Sequence, residues 1–316
     1  MNKENTMLLK QLASHVLSDD LPRSRLLTVL LLAVLAYLLM APFVLPGARS
    51  LNVAITICVF LVLVGSFDLL LGYSGMVSFA HAMFYGIGAY GVAIGLNKWG
   101  TTWSSILLGT LAAMAVSTVL SVLMALISLR VKAIFYTMTT LAVASAFGAL
   151  VMRLNSLTGG DDGRNFGVPE VLTPGFELFE DEVFGIVISG KVLTYYLVLV
   201  CAVALFLLML RIVNSRFGRV LEAIRENEFR ADAIGYRTLY YKLAVNTVAA
   251  LIATAAGVLM ALWLRYVGPQ TTVGFNVMLN ILLMAVLGGL GTVYGAVLGV
   301  VVFTVAEIGR ASCRER

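Results

Sequence analysis

The chain has 316 residues, 60% of them hydrophobic and 12% charged, where soluble domains carry about 25% charged residues. That much apolar surface excludes a water-soluble fold, and uniformly apolar runs of about 20 residues exclude a barrel. The net charge of +5 sits in a few loops, so it reads as membrane topology and not as a surface for nucleic acid.

Residues 1–25 are polar, with Lys3, Lys10, Arg23 and Arg25, and are expected to form a cytoplasmic tail. The apolar run 26–45 is too long for the core of a signal peptide and lacks a small-x-small cleavage site, so it reads as a retained first span. Further apolar runs follow at 51–71, 77–96, 104–129, 133–152, 191–213, 243–265 and 272–288, with a last one at 293–308. The expected fold is therefore all-α and polytopic, with about eight or nine spans across 26–308. Cys58, Cys201 and Cys313 have no metal-ligand spacing; thiols within apolar runs are packing residues.

Loop charge sets the expected orientation. Arg130 and Lys132 share one short loop, and the segment Arg211 to Lys242 carries seven basic and four acidic residues; both are expected in the cytoplasm. Between Gly159 and Gly185 stand seven acidic residues and one basic residue, which places 155–190 outside. Counting back puts the N-terminus in the cytoplasm. The chain ends abruptly in the polar GRASCRER, 309–316. It is either a basic tail or unrelated residues appended to a truncated protein; the topology count, which puts this end outside, argues against the first.

Gly86 to Gly91 spells the dinucleotide fingerprint G-x-G-x-x-G, but inside an apolar span it lacks the strand and the water that motif needs. The row Ser78, Ala82, Gly86 and Tyr90, with Gly91 and Gly95 beside it, reads as close helix packing. Before it lies Gly72-Tyr73-Ser74-Gly75, with Ser78 and His81, at a junction between spans. Small and polar residues at membrane depth mark either a tight turn or a broken helix lining a solute path. Asp68 lies one or two turns away, where it either reaches an interface or joins that path. Outside, Thr158-Gly159-Gly160-Asp161-Asp162-Gly163 reads as a solvated turn or a contact for an outer partner, with too few ligands for calcium.

The charged island 214–242 carries Phe217, Val220, Leu221, Ile224, Ala231 and Ile234 at helical spacing, which predicts one amphipathic helix ending at Gly235. Glu226 and Arg230 are expected to pair four residues apart on it. A helix lying on lipid would show fewer glutamates, so a protein partner for the apolar stripe is expected.

GYSGMVSFAHAMFYGIGAYGVAI, LTGGDDG, GRVLEAIRENEFRADAIGYRTLYYKL and LGGLGTVYGAVLG occur in this order. Together they resemble the branched-chain amino acid ABC-transporter permeases of the LivM/LivH type, with the TGG-D-G loop closer to the LivM-like branch. The resemblance covers about 50–308. It implies a type II importer-like helical permease of the bacterial plasma (inner) membrane. The implied partners are a homologous permease, two cytoplasmic ATPase subunits that bind ATP and Mg, and an extracytoplasmic binding protein. No cofactor and no catalytic residue are implied for the chain itself. The family's coupling loop maps to Glu226, Asn227, Glu228, Ala231 and Gly235. Relatives that move urea or short amides share the architecture. An ion-coupled transporter would need buried carboxylates, for which Asp68 is the one serious candidate, and an intramembrane enzyme would need a nucleophile–base pair that is missing.

Overall fold

Long, mostly apolar stretches can satisfy their backbone in a bilayer only as helices, and that is what forms. A computed structural model describes residues 25–44, 47–128, 133–173, 175–176 and 189–314. The principal helices are α1 (Arg25–Val44), α2 (Ala48–Asp68), α3 (His81–Trp99), α4 (Trp103–Ser128), α5 (Ala133–Arg153) and α6 (Gly190–Val213). After them come α7 (Arg216–Glu226), α8 (Glu228–Ala233), α9 (Thr238–Leu264), α10 (Phe275–Gly288) and α11 (Val293–Arg314). Every expected span corresponds to a helix. Among the described residues, six segments are long and apolar enough to cross a membrane unaided: Ser50–Tyr73, Trp103–Leu126, Phe135–Arg153, Gly190–Val213, Thr238–Leu264 and Pro269–Gly288. Leu31–Val44 and Val293–Ile308 are shorter apolar stretches. The N-terminal tail, the Arg130–Lys132 loop and the acidic residues 177–188 lie outside the described residues.

At the centre α3 packs along α9, with α4 against both and α2 on the far side of α9. Around this core α2 also meets α6, α10 and α11. The glycines of α3 make the central contact tight. A side-chain carbon on Gly91 would stand 2.5 Å from Ala113 Cβ and 3.0 Å from the Gly109 carbonyl of α4. Backbones that approach so closely gain dispersion contacts that bulky residues would forbid.

Polar groups tie the same helices. Tyr136 of α5 donates to Asn246 Oδ1 of α9 at 2.8 Å, and Asn246 Nδ2 donates to the Ser121 carbonyl of α4 at 3.0 Å. Ser117 and Thr254 hydroxyls meet at 2.6 Å. Asn246 is fully buried, so Asn246→Leu leaves the Tyr136 hydroxyl without its acceptor. The expected cost is about 1–2 kcal/mol, read as a lower thermal midpoint in detergent, with Asn246→Asp still accepting from Tyr136.

Two ends of the bundle carry irregular backbone. At one end lie α7, α8, the α2–α3 junction and the α10–α11 loop. At the other, Arg164–Asn165 (β1) pairs antiparallel with Tyr266–Val267 (β2).

Candidate functional site

The charged island folds as two helices, not the single one its periodicity predicts. Asn227 has extended backbone (φ −158°, ψ 99°), and its side chain accepts from Arg230 N at 2.9 Å to cap α8. Asparagine competes for backbone donors this way, which favours caps over helix interiors. The break also places Glu226 and Arg230 on different helices. At the far end Gly235, with φ 105°, is the C′ residue of a Schellman motif. Gly235 N donates to the Asp232 carbonyl and Tyr236 N to the Ala231 carbonyl. Lys242 clamps Glu228 from the start of α9.

The apolar stripe is divided as well. Val220, Ile224 and Ala231 form a small core with Tyr241, Leu221 joins the main core, and Phe217 stacks on Tyr241 at 5.7 Å. These residues hold the hairpin onto the bundle and so do not offer themselves to a partner. The surface left uncovered is the end of the stripe, Ile234, together with a residue off it. Phe229 is 85% exposed and Ile234 71% exposed, and Tyr236 and Tyr240 are exposed beside them. Sequence reasoning missed Phe229 because it lies off the stripe, although a phenylalanine among charges was visible. Glu226, Asn227, Glu228 and Gly235 are exposed here too.

The junction behind this hairpin is packed. α2 ends in a π turn, Leu69–Tyr73, and an irregular segment leads to α3. Asp68, Gly72, Tyr73, Ser74, Ser78 and His81 are buried there, while Gly75 is exposed. Asp68 Oδ1 accepts from Gly291 N at 2.9 Å. Ser66 donates to the Leu63 carbonyl, so its oxygen is left to accept from His81 Nε2 at 2.8 Å. That makes His81 a core histidine held by α2, its ring edge-on to Phe67.

At the opposite end the Thr158 hydroxyl donates to the Val151 carbonyl at 2.6 Å and accepts from Gly160 N at 3.2 Å. Thr158 and Gly160 are buried and build the turn; Gly159 and Gly163 are half-buried, and Asp161 and Asp162 face outward. Tyr266 donates to the Asp162 carbonyl at 3.0 Å, and Arg265 to the Leu172 carbonyl at 2.7 Å, fastening the loop to the end of α9.

The cavities among the described residues include two that enter the bundle. One, of about 290 Å³, lies between α2, α3, α9, α10 and α11, with Phe60, Met260, Val277 and Met284 among its walls and Tyr85, Asn280, several threonines and the carboxylate Glu307 among its polar members. The other, of about 200 Å³, lies between α3, α5 and α10 and includes Phe79 and Ala82. The larger is near the lower limit for a small-molecule site. Of the residues expected on a solute path, Asp68, Gly72, Tyr73, Ser74, Gly75, Ser78 and His81 line neither. Of the packing row, Ala82 borders the smaller cavity; Gly86 backs onto Val273, Tyr90 is buried, and Gly95 faces Gly109 of α4. Among the described residues no cluster of His, Cys, Asp or Glu could hold a metal.

A polytopic helical bundle with internal cavities and a capped helical hairpin at one end fits a membrane permease. Residues 49–313 match the family described as branched-chain amino acid transport system / permease component, and the chain belongs to that family. It is 27% identical over 291 residues to the high-affinity branched-chain amino acid transport system permease protein LivM of Salmonella typhimurium, covering 88% of this chain and 67% of that protein. It is 27% identical over 247 residues to BraD, a permease protein of the same kind of system in Pseudomonas aeruginosa, covering 76% and 78%. A probable LivM of Methanocaldococcus jannaschii is 25% identical over 273 residues, covering 77% and 76%. No solved structure matches the chain.

Proposed function

We propose that the chain is the LivM-like translocation subunit of an ATP-driven importer of branched-chain amino acids. It sits in the bacterial inner membrane with its N-terminus and the α7–α8 hairpin in the cytoplasm. A homologous permease completes the channel, two ATPase subunits bind and hydrolyse ATP with Mg, and an outer binding protein delivers substrate. The observation that carries this reading is the hairpin itself. The second of its two capped helices presents Phe229, and its end Ile234, to solvent on a base fixed to the bundle. Exposed apolar groups rimmed by charge fit a protein partner. Closure of the ATPases would move this base as a body and shift the bundle between outward-open and inward-open states.

The Gly72–His81 junction then closes the cytoplasmic end of the solute path. The larger cavity is its station for substrate: its apolar walls suit an aliphatic side chain, and Asn280 makes no hydrogen bond to the described residues. The same walls favour a branched-chain amino acid over urea or an amide. Asp68 is engaged by Gly291 and lines neither cavity, while the carboxylate at the larger one is Glu307, so dependence on ATP and not on an ion gradient is what separates the importer from the ion-coupled alternative. Outside, Asp162 and its neighbours on the Gly159–Gly163 turn meet the binding protein.

Uptake by the reconstituted complex tests the reading. Leucine, isoleucine or valine should enter vesicles only with ATP and the binding protein, and a collapsed ion gradient should not matter. Uptake that follows the gradient instead of ATP would refute it. Asn280→Leu should raise the KM for leucine about 5–10-fold, with ATP hydrolysis retained.

A further inference from the structure

One side chain joins the hairpin to two parts of the membrane core at once. Arg225 stands on α7, near the end of the helix. Its Nη1 donates to the Gly72 carbonyl in the π turn that ends α2. Its stem runs past Gly75, where a Cβ would stand 3.5 Å from Arg225 Cγ. The same guanidinium lies against Gly291 of the α10–α11 loop: a Cβ there would stand 2.7 Å from Arg225 Nη1. Gly291 in turn is the residue whose N–H holds Asp68 Oδ1. Gly72 admits no side chain, since a Cβ would collide with both Asp68 Oδ1 and Gly291 N.

The second carboxylate oxygen of Asp68 is left over. Asp68 Oδ2 is buried and makes no hydrogen bond, although the Thr292 N–H of the α10–α11 loop also lies close to the carboxylate. A bare carboxylate oxygen in a membrane protein is costly and calls for a donor. Within this junction the available charged donor is the guanidinium already at Gly291. A carboxylate is also a stronger acceptor for a guanidinium than a carbonyl.

We propose that Arg225 and Asp68 form a two-position clasp that transmits movement of the hairpin to the bundle. In the state seen here Arg225 holds the Gly72 carbonyl. When the hairpin is displaced, the guanidinium leaves Gly72 and pairs with Asp68 Oδ2, while Oδ1 keeps the α10–α11 loop attached. Both positions fasten α7 to α2 and to the α10–α11 loop. A push on the hairpin therefore reaches α2, α10 and α11 together and selects between two discrete arrangements, which is what energetic coupling requires. Arg225 and Asp68 act here as positioning residues and touch no substrate.

The clasp deepens the importer reading and rests on it, so the test separates the two. In proteoliposomes holding the whole complex, leucine uptake and ATP hydrolysis are measured on the same vesicles. Arg225→Gln and Asp68→Asn should each lower uptake about tenfold or more while hydrolysis continues and the ATPase subunits stay bound. Arg225→Lys should retain part of the uptake, and the double variant should be no worse than the poorer single one. Asp68→Asn keeps an acceptor for Gly291, so a purely structural Asp68 would transport normally, and that result overturns the clasp. Additive losses overturn it too, as does loss of the ATPase subunits from Arg225→Gln.

A second readout does not depend on the solute. Spin labels at Arg219 and Thr292, both exposed, report the separation of α7 from the α10–α11 loop in a background lacking the three cysteines. Two separations that exchange with nucleotide are expected in the otherwise unaltered chain, and only the resting one in Asp68→Asn. The same pair in both refutes the clasp, whereas failure of leucine uptake in the unaltered complex refutes the importer reading alone.

Discussion

Changing Phe229 and Ile234 together to aspartate should strip the ATPase subunits from the complex while leaving the permease folded. Both side chains are exposed and belong to no internal cluster, so the fold loses little. Buried under a partner, each would contribute about 1.5–3 kcal/mol. The pair would then be worth about 3–6 kcal/mol, or roughly 10²–10⁴ in affinity, and buried carboxylates would add a penalty. Titration of purified ATPase onto the permease in detergent reads the change. Val220→Asp makes the contrast: it strikes the core under the hairpin and should lower thermal stability first. Unaltered ATPase binding by the double variant would mean that the partner grips another face.

The largest effect on stability is expected at Gly257. On α9 it faces α3 so closely that a Cβ would run into the Tyr85 carbonyl oxygen, and on α3 Gly88 would meet the Thr254 carbonyl in the same way. Backbone cannot step aside as a flexible side chain can. Gly257→Val therefore forces the two central helices apart, at about 1–3 kcal/mol or more. Gly257→Ala should cost less but still register. At Gly148 the nearest obstacle is Val273 Cγ1 at 3.7 Å, so Gly148→Ala should be neutral. Thermal unfolding in detergent ranks the three variants. Equal midpoints for Gly257→Val and Gly148→Ala would show that the close approach of α3 and α9 carries no weight.

The bundle was legible from sequence because a bilayer admits so few solutions. An apolar run of about 20 residues becomes a helix whatever its neighbours are, and each predicted span has one. The glycine rows of α3 were legible for a related reason: small residues four apart have little purpose on a helix except close approach. The charged island was read only in part. Its periodicity continued through Asn227, and nothing in the pattern said that a carboxamide would cap a new helix there. Nor does periodicity say which face a bundle covers. Val220, Leu221, Ile224 and Ala231 of the stripe turned inward, so only its last member, Ile234, stays exposed, joined by Phe229 from off the stripe. Asp68 was noticed for its charge, but Gly291 is far away in the chain, and that contact exists only in three dimensions. The larger cavity could not be anticipated, since it draws two or three residues from each of five helices and more from the segment between α9 and α10.

A photoreactive amino acid at position 229, activated in membranes of cells expressing the whole transporter, tests the central claim most directly. An adduct with an ATPase subunit, identified by mass spectrometry and absent from the same probe at the buried position 220, is the predicted result. Adducts with phospholipid alone would contradict the account, because the hairpin would then lie on the bilayer with no motor attached.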